Sequence, residues 1–367
     1  MRFSALRRSR TLWLALVGIL ALAAGVAALW NRARVHPLLA SPTLLLEQVK
    51  PGSLYFNGEA RPWIMSHRPE LVTTEDREEK SARTRGLVQA VQNPKLFRQL
   101  DRQYRFDSLV LVGDPSQYRP LLEHLVESRD FTLSYVDHTG YVYQRTGGAV
   151  WSVEDIPGVW ARFSKASTTD HARFLSQTAS KLIAIRQTGP ANQLLDQARA
   201  LNSGIPDVRS TEAFYQLALG RWSDAIGAAD RALEIDDEWQ PALAAKAQAL
   251  YATKYFADAY DISQRLIEQN PQDPGLLFYH AKIAHEARAF TDEIRVLKRL
   301  IERAEKEQRP TSGYRLYLAQ AYASDGQGEP AIEQFRLAME DPELPKEQRQ
   351  FALETTAQIK SRIGLSK

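Results

Sequence analysis

Through the second half of this chain alanine recurs every 34 residues, at Ala179, Ala213, Ala247 and Ala281, and that spacing constrains the fold more than any other feature. A second series runs Ala191, Ala225 and Ala259 and then meets Glu293. A third runs Ala198, Ala232, Leu266 and Leu300, and the aromatic residues Trp222, Phe256 and Phe290 make a fourth. A unit of this length holds two antiparallel helices and a turn. Small side chains at the crossing points let the two backbones approach, and the aromatic covers the hinge between the helices. The leucine and isoleucine stripe of one pair is buried only when the next pair stacks on it, so the segment has to fold as an array.

The pattern resembles the tetratricopeptide repeat family, whose unit has small residues at its eighth and twentieth positions and a hydrophobic residue at its seventeenth. Residues 206–239 fit best, through Ala213, Gly220, Trp222, Ala225, Ala232 and Leu233, and the unit from 240 follows with Ala247, Phe256, Ala259 and Pro271. The unit from 274 keeps Ala281 and Phe290 but places Glu293 at the second small position, and a charged stretch through Glu305, Lys306 and Glu307 adds four residues. Counting again from Ser312 recovers Leu318, Ala319, Tyr322, Gly326, Ala331, Phe335 and Ala338. The earliest unit, 172–205, is degenerate. Four to five repeats are expected across 172–345, then a capping helix and tail in 346–367, with the helix over 348–363 and its outer face polar.

The resemblance implies a protein-binding scaffold without catalytic residues, in which the first helix of each pair lines a concave surface. Carried over position by position, the partner-binding residues are Phe214, Leu217, Gln248, Tyr251, Lys282, His285 and Gln320. Aromatic area combined with Gln and Lys suits an extended peptide or a partner helix. The other reading of Phe214 and Tyr251 is packing between adjacent helices, and residue type alone does not separate the two. The family's carboxylate clamp is absent, because Ser210, Phe214 and Ala218 stand where the clamp needs Lys and Asn.

Residues 11–30 form a run of twenty without a charge, enough for a helix of about 30 Å, the thickness of a bilayer core. Arg2, Arg7, Arg8 and Arg10 precede the run and Arg32 and Arg34 follow it. This bias predicts a single-pass inner-membrane anchor with residues 1–10 cytoplasmic and the bulk of the chain periplasmic or extracellular. The competing reading is a cleaved signal peptide, with Ala24, Ala27 and Ala28 near the processing point. Either way the remainder is exported.

Residues 37–168 differ in character, with strand-like runs at 54–57, 108–112 and 131–136 between helical stretches, and so predict a small α/β domain. Asp137, His138, Thr139 and Gly140 read as the turn of an aromatic hairpin. Residues 58–80, with Pro62, Pro69 and the charge run 75–80, read as a solvated loop. Residues 109–125 with the following hairpin are similar to small soluble tails of membrane glycosyltransferases, though this chain lacks the many spans that carry such enzymes' chemistry. Asp114, followed by Pro115 and Ser116, is expected to cap the next turn, and Asp137 to serve its own turn.

The whole is α-rich and multidomain: a transmembrane helix, a small α/β domain and a C-terminal tetratricopeptide α-solenoid. There is no cysteine, which removes disulfides, thiolate metal sites and cysteine nucleophiles. With 47 basic against 44 acidic residues, bulk attraction to nucleic acid is not expected. His285–Glu286 opens like a zinc-protease helix, but Ala289 stands at the second histidine's place, and His280 and His285 are five apart. No metal, cofactor or catalytic motif is expected. The sequence points to a membrane-anchored protein-interaction scaffold at the cell envelope, in assembly or polysaccharide export. The alternative is small-molecule or glycan binding or processing by the middle domain, with the repeats recruiting.

Overall fold

The computed structural model describes residues 41–78, 81–146, 150–162, 166–342 and 344–364, and the chain divides into two compact units between Ser203 and Gly204. The anchor expected at residues 11–30 lies outside the described residues. Among those described, no helix is long and apolar enough to cross a membrane.

The first unit is built on a four-stranded sheet in the order β1 (Leu54–Phe56), β2 (Ser108–Val112), β4 (Gly140–Arg145) and β3 (Phe131–Val136). β1 and β2 are parallel and the other pairings antiparallel. Every residue of β2 is buried, as its unbroken SLVLV run requires of a strand covered on both faces. β1 is one residue shorter than the sequence suggests, because Asn57 continues the pairing with its side chain. Its Nδ2 donates to the Val112 carbonyl at 2.7 Å and its Oδ1 accepts from the Val112 N–H at 3.0 Å.

Residues 58–80 are not the solvated loop their composition suggests. Helices Arg61–His67 and Thr74–Arg77 form there, the first started by Pro62 in its opening turn and the second by a capping box between Thr73 and Asp76. The charge run was misread because Asp76 is buried and ion-paired with Arg83. Glu79 and Lys80 lie outside the described residues.

The helical pair Thr168–Ala184 and Thr188–Asn202, the degenerate repeat, clusters with this sheet. Tyr141 donates from its hydroxyl to the Lys181 carbonyl at 2.7 Å, and His138 packs against Phe174.

The second unit consists of four successive helical hairpins and a last helix. The hairpins pair Pro206–Ala218 with Trp222–Leu233, Gln240–Ala252 with Phe256–Gln269, Pro274–Glu286 with Phe290–Lys306, and Ser312–Ser324 with Gly328–Met339; Lys346–Arg362 follows. The four extra residues of the third repeat extend its second helix, which reaches 17 residues against 12 and 14 in the two before it. Ala213, Ala247, Ala281, Ala225, Ala259 and Ala232 are all buried.

Each hinge carries one residue at positive φ, Gly220, Lys254, Arg288 and Gly326 in turn. The N–H that follows it bonds back five residues, as from Arg221 to Gln216 and from Tyr255 to Leu250, both at 2.9 Å. The last helix buries only Ala352 and Ile359, and its outer face is less polar than expected, with Phe351 and Leu353 exposed.

Candidate functional site

The first helices of the second, third and fourth hairpins carry aromatic rings in two contacting groups. Tyr251 lies 6.4 Å from Tyr279, centroid to centroid, and meets Phe256 edge-on at 5.6 Å. Phe278 meets Tyr314 at 5.4 Å and Tyr317 at 4.9 Å, both edge-on. Burial raises the Tyr251 hydroxyl above its ordinary pKa, and the neighbouring Glu286 and Tyr317 add to the shift. Burial also raises Tyr279, whose hydroxyl has no hydrogen-bond partner among the described residues. The rings therefore present apolar area on first helices, one of which also carries the half-buried Lys282.

The seven residues singled out by repeat position separate on this geometry. Tyr251, Lys282 and Gln320 are half-buried on first helices of these three hairpins, and Gln248 is exposed one turn before Tyr251. Phe214 and Leu217 pack against a core made almost wholly of alanine, including Ala213, Ala228, Ala229 and Ala232. His285 is held by Glu293. Phe278 was reachable by the same counting, since it stands at the fifth position of its unit, whereas Tyr317 at the sixth had no signal.

Glu293 explains the break in the alanine series. Its carboxylate is 1% exposed and meets His285 Nδ1 at 3.0 Å, while the imidazole packs edge-on against Phe290 at 5.7 Å. The Glu293 hydrogen bond raises the His285 pKa above 6.5, against the opposing effect of burial. A raised folded-state pKa means the pair's contribution is complete below that value and is lost as pH rises through the folded pKa.

Removing the imidazole in His285→Ala leaves a buried carboxylate and is expected to cost about 1–3 kcal/mol. Glu293→Ala restores the small residue and should be neutral or stabilising. Urea unfolding from pH 5.5 to 8.5 should show the wild type losing ground to Glu293→Ala as pH rises; parallel curves would refute the assignment.

A serine, a histidine and an aspartate also meet where the second hairpin packs on the third. Ser263 Oγ is 2.8 Å from His280 Nδ1, and His280 Nε2 is 2.7 Å from Asp292 Oδ2, which also accepts from the Tyr260 hydroxyl at 3.1 Å. Although burial pushes the Asp292 carboxyl up, hydrogen bonds from His280 and Arg295 outweigh it and hold it below its ordinary pKa. The set resembles a nucleophile, base and orienting acid, but Ser263 is only 1% exposed and donates to the Tyr260 carbonyl, so no substrate carbonyl reaches it. It bonds the second repeat to the third.

In the first unit, Asp114 accepts from the Ser116 N–H at 2.9 Å, and Asp137 accepts from the Thr139 N–H at 2.7 Å and hydroxyl at 2.6 Å. Both carboxylates serve turns, as their flanking residues suggest. Lys181, which reads as an ordinary helix lysine, had no signal in the sequence. It donates to the Gly113 carbonyl, and burial lowers its amine to about 8 against the pull of Asp114, Asp137 and Glu59. No group of His, Asp and Glu suited to a metal ion occurs among the described residues.

Successive helical hairpins, with buried alanine at most crossings and a positive-φ hinge in each, make the second unit an α-solenoid. No protein-family model matches the sequence, and no curated protein matches it. Among solved structures the chain is similar to YrrB, described as a tetratricopeptide protein with an unusual peptide-binding site, at 15% identity over 56% of this chain and 98% of that one, TM-score 0.45. It is similar to MamA from Desulfovibrio magneticus RS-1 at 15% identity over 47% and 94%, TM-score 0.40, and to Pseudomonas aeruginosa PilF at 14% over 54% and 90%, TM-score 0.42.

Proposed function

We propose that this chain is a membrane-anchored scaffold whose repeat array binds a protein partner, as an extended peptide or a helix, along the first-helix face. The observation that carries this reading is the aromatic set Tyr251, Phe278, Tyr279, Tyr314 and Tyr317 on three successive first helices. Aromatic anchors beside Lys282 and Glu286 supply buried area with polar groups at the margin, the composition of a protein-binding hot spot. The anchor rests on the uncharged run 11–30 and its flanking arginines, and it places the array on the outer face of the inner membrane. Confinement there raises the effective concentration of envelope components, so a weak contact suffices. Envelope assembly or polysaccharide export is the setting this suits.

The test is cross-linking and affinity purification from membranes, comparing wild type with a folded Tyr251→Ala, Phe278→Ala, Tyr317→Ala variant by quantitative mass spectrometry. A partner enriched by the wild type should fall at least about tenfold in the variant, corresponding to about 1.4 kcal/mol or more. An unchanged partner list would reject this face as the binding site.

A further inference from the structure

The first unit concentrates positive charge on two neighbouring helices that the scaffold reading does not use. Residues 82–105 hold Arg83, Arg85, Lys95, Arg98, Arg102 and Arg105 against a single acid, Asp101, in a chain that otherwise balances 47 basic residues with 44 acidic ones. Arg83 is spent inside the fold on Asp76. The other five cations are exposed.

The helix Pro94–Tyr104 sorts these charges by its period. Phe97 and Leu100 are buried, and Phe97 meets the Tyr55 ring edge-on at 5.2 Å, which fixes the inner face. Lys95, Arg98 and Arg102 follow one another at spacings of three and four, so they share the outer face. Arg105 extends the row as the left-handed C-cap, and Arg85 adds a fifth charge from the packed helix Ala82–Ala90. Asp101 is engaged on the inner side, where it accepts from Arg145 and, at 3.1 Å, from the Phe106 N–H. On the adjoining helix Arg119–Glu127, Glu123 is taken by Arg119 at 3.3 Å. Among the described residues, none of the five exposed cations lies within ion-pair distance of a carboxylate.

Like charges three and four apart on a helix repel, so the row costs stability until an anionic surface lies against it. It runs for about 15 Å, long enough to meet several phosphates at once. The chain's own layout supplies such a surface. Ten residues, 31–40, separate the uncharged run 11–30 from the first described residue, and that length of chain reaches at most about 36 Å. With the run in a bilayer, the headgroups stay at high effective concentration around this unit. Single-stranded nucleic acid is a poorer fit, because its binders interleave aromatic rings among their cations, and here Gln99 and Gln103 stand between the outward charges.

We propose that the outer face of the helix Pro94–Tyr104 docks the first unit on the anionic headgroups of the membrane that holds its N-terminus, through Lys95, Arg98, Arg102 and Arg105. The inference rests on the anchor proposed above, and the two are read by separate signals.

Because the chain has no cysteine, Gln99→Cys carries a single thiol-linked fluorophore on the docking face. The full chain is reconstituted into vesicles of phosphatidylcholine alone or in equal mixture with phosphatidylglycerol. Flotation reports the anchor, and quenching by a headgroup-linked quencher reports docking. Docking is expected in the mixed vesicles. The docked-to-free ratio should fall at least about tenfold in phosphatidylcholine alone, in high salt, and in the mixed vesicles for a Lys95→Gln, Arg98→Gln, Arg102→Gln variant. An unfolding midpoint no lower than that of the wild type would establish that the variant folds. Flotation with quenching that is equal in neutral vesicles, or indifferent to the three substitutions, would overturn the docking and leave the anchor standing. Flotation with mixed vesicles alone, lost in the variant, would keep the docking and overturn the anchor; flotation with neither would overturn both. A larger fluorescence response to duplex DNA than to mixed vesicles at equal phosphate would overturn the lipid assignment in favour of nucleic acid.

Discussion

Gly140→Ala is expected to destabilise the first unit by about 3–5 kcal/mol, above the usual cost of an added buried methyl. Gly140 opens β4 opposite Val112, and a Cβ there would lie 2.0 Å from the Leu111 carbonyl oxygen and 3.0 Å from Val112 Cα. Both are backbone atoms of the central strand, so neither can swing aside and the pairing of β2 with β4 has to open. Hydrogen exchange should show lost protection across residues 108–145, with residues 240–339 protected as before. Gly158→Ala, which meets nothing within 4 Å, is the matched comparison and should stay within about 0.5 kcal/mol of wild type. Retained protection in β2 of the Gly140 variant would refute the packing described here.

Arg83→Leu should cost about 3–5 kcal/mol, because it strands a buried carboxylate. The guanidinium is 2.7 Å from Asp76 Oδ1 and lies over the Tyr104 ring at 4.1 Å, and both charged side chains are almost fully enclosed. Asp76 also accepts from the Thr73 N–H and hydroxyl, so it stays in place when its partner is removed. Adding Asp76→Asn to the variant removes the stranded charge and is expected to recover at least about 1 kcal/mol. A denaturation midpoint for Arg83→Leu within 1 kcal/mol of wild type would contradict the enclosed pair.

The repeat array was legible because its physics is periodic. Small residues at helix crossings leave a spacing in the sequence that no other architecture requires, and the hairpins begin at Pro206, Gln240, Pro274 and Ser312, where the counting starts each unit. Glu293 stands out in the sequence as a departure from the alanine series, but its bond to His285 does not, since sequence spacing does not reveal which way a ring turns. The strands of the first unit were legible from apolar runs, and the turn roles of Asp114 and Asp137 from their neighbours. The helices within 58–80 were hidden by their charge, which looks solvated until Arg83 is placed beside Asp76. Lys181 comes together with Gly113, Asp114 and Asp137 only through the fold, from a helix and strand ends distant in sequence.

The bonds among Tyr260, Ser263, His280 and Asp292 join the second repeat to the third, whereas beside the alanine core at Ala213 the junction bond is a different one, from Trp239 Nε1 to Ser210 Oγ at 3.1 Å. Junctions lined with alanine are chemically alike, so a nascent array could pair the wrong neighbours at little energetic cost. A polar set that is satisfied in one pairing alone works as an address: any exchange of neighbours would bury His280 without Ser263 at its Nδ1 and take the Tyr260 hydroxyl from Asp292. Polar bonds that differ from one junction to the next thereby help to write the order of the stack, while the small residues that close packing demands recur unchanged.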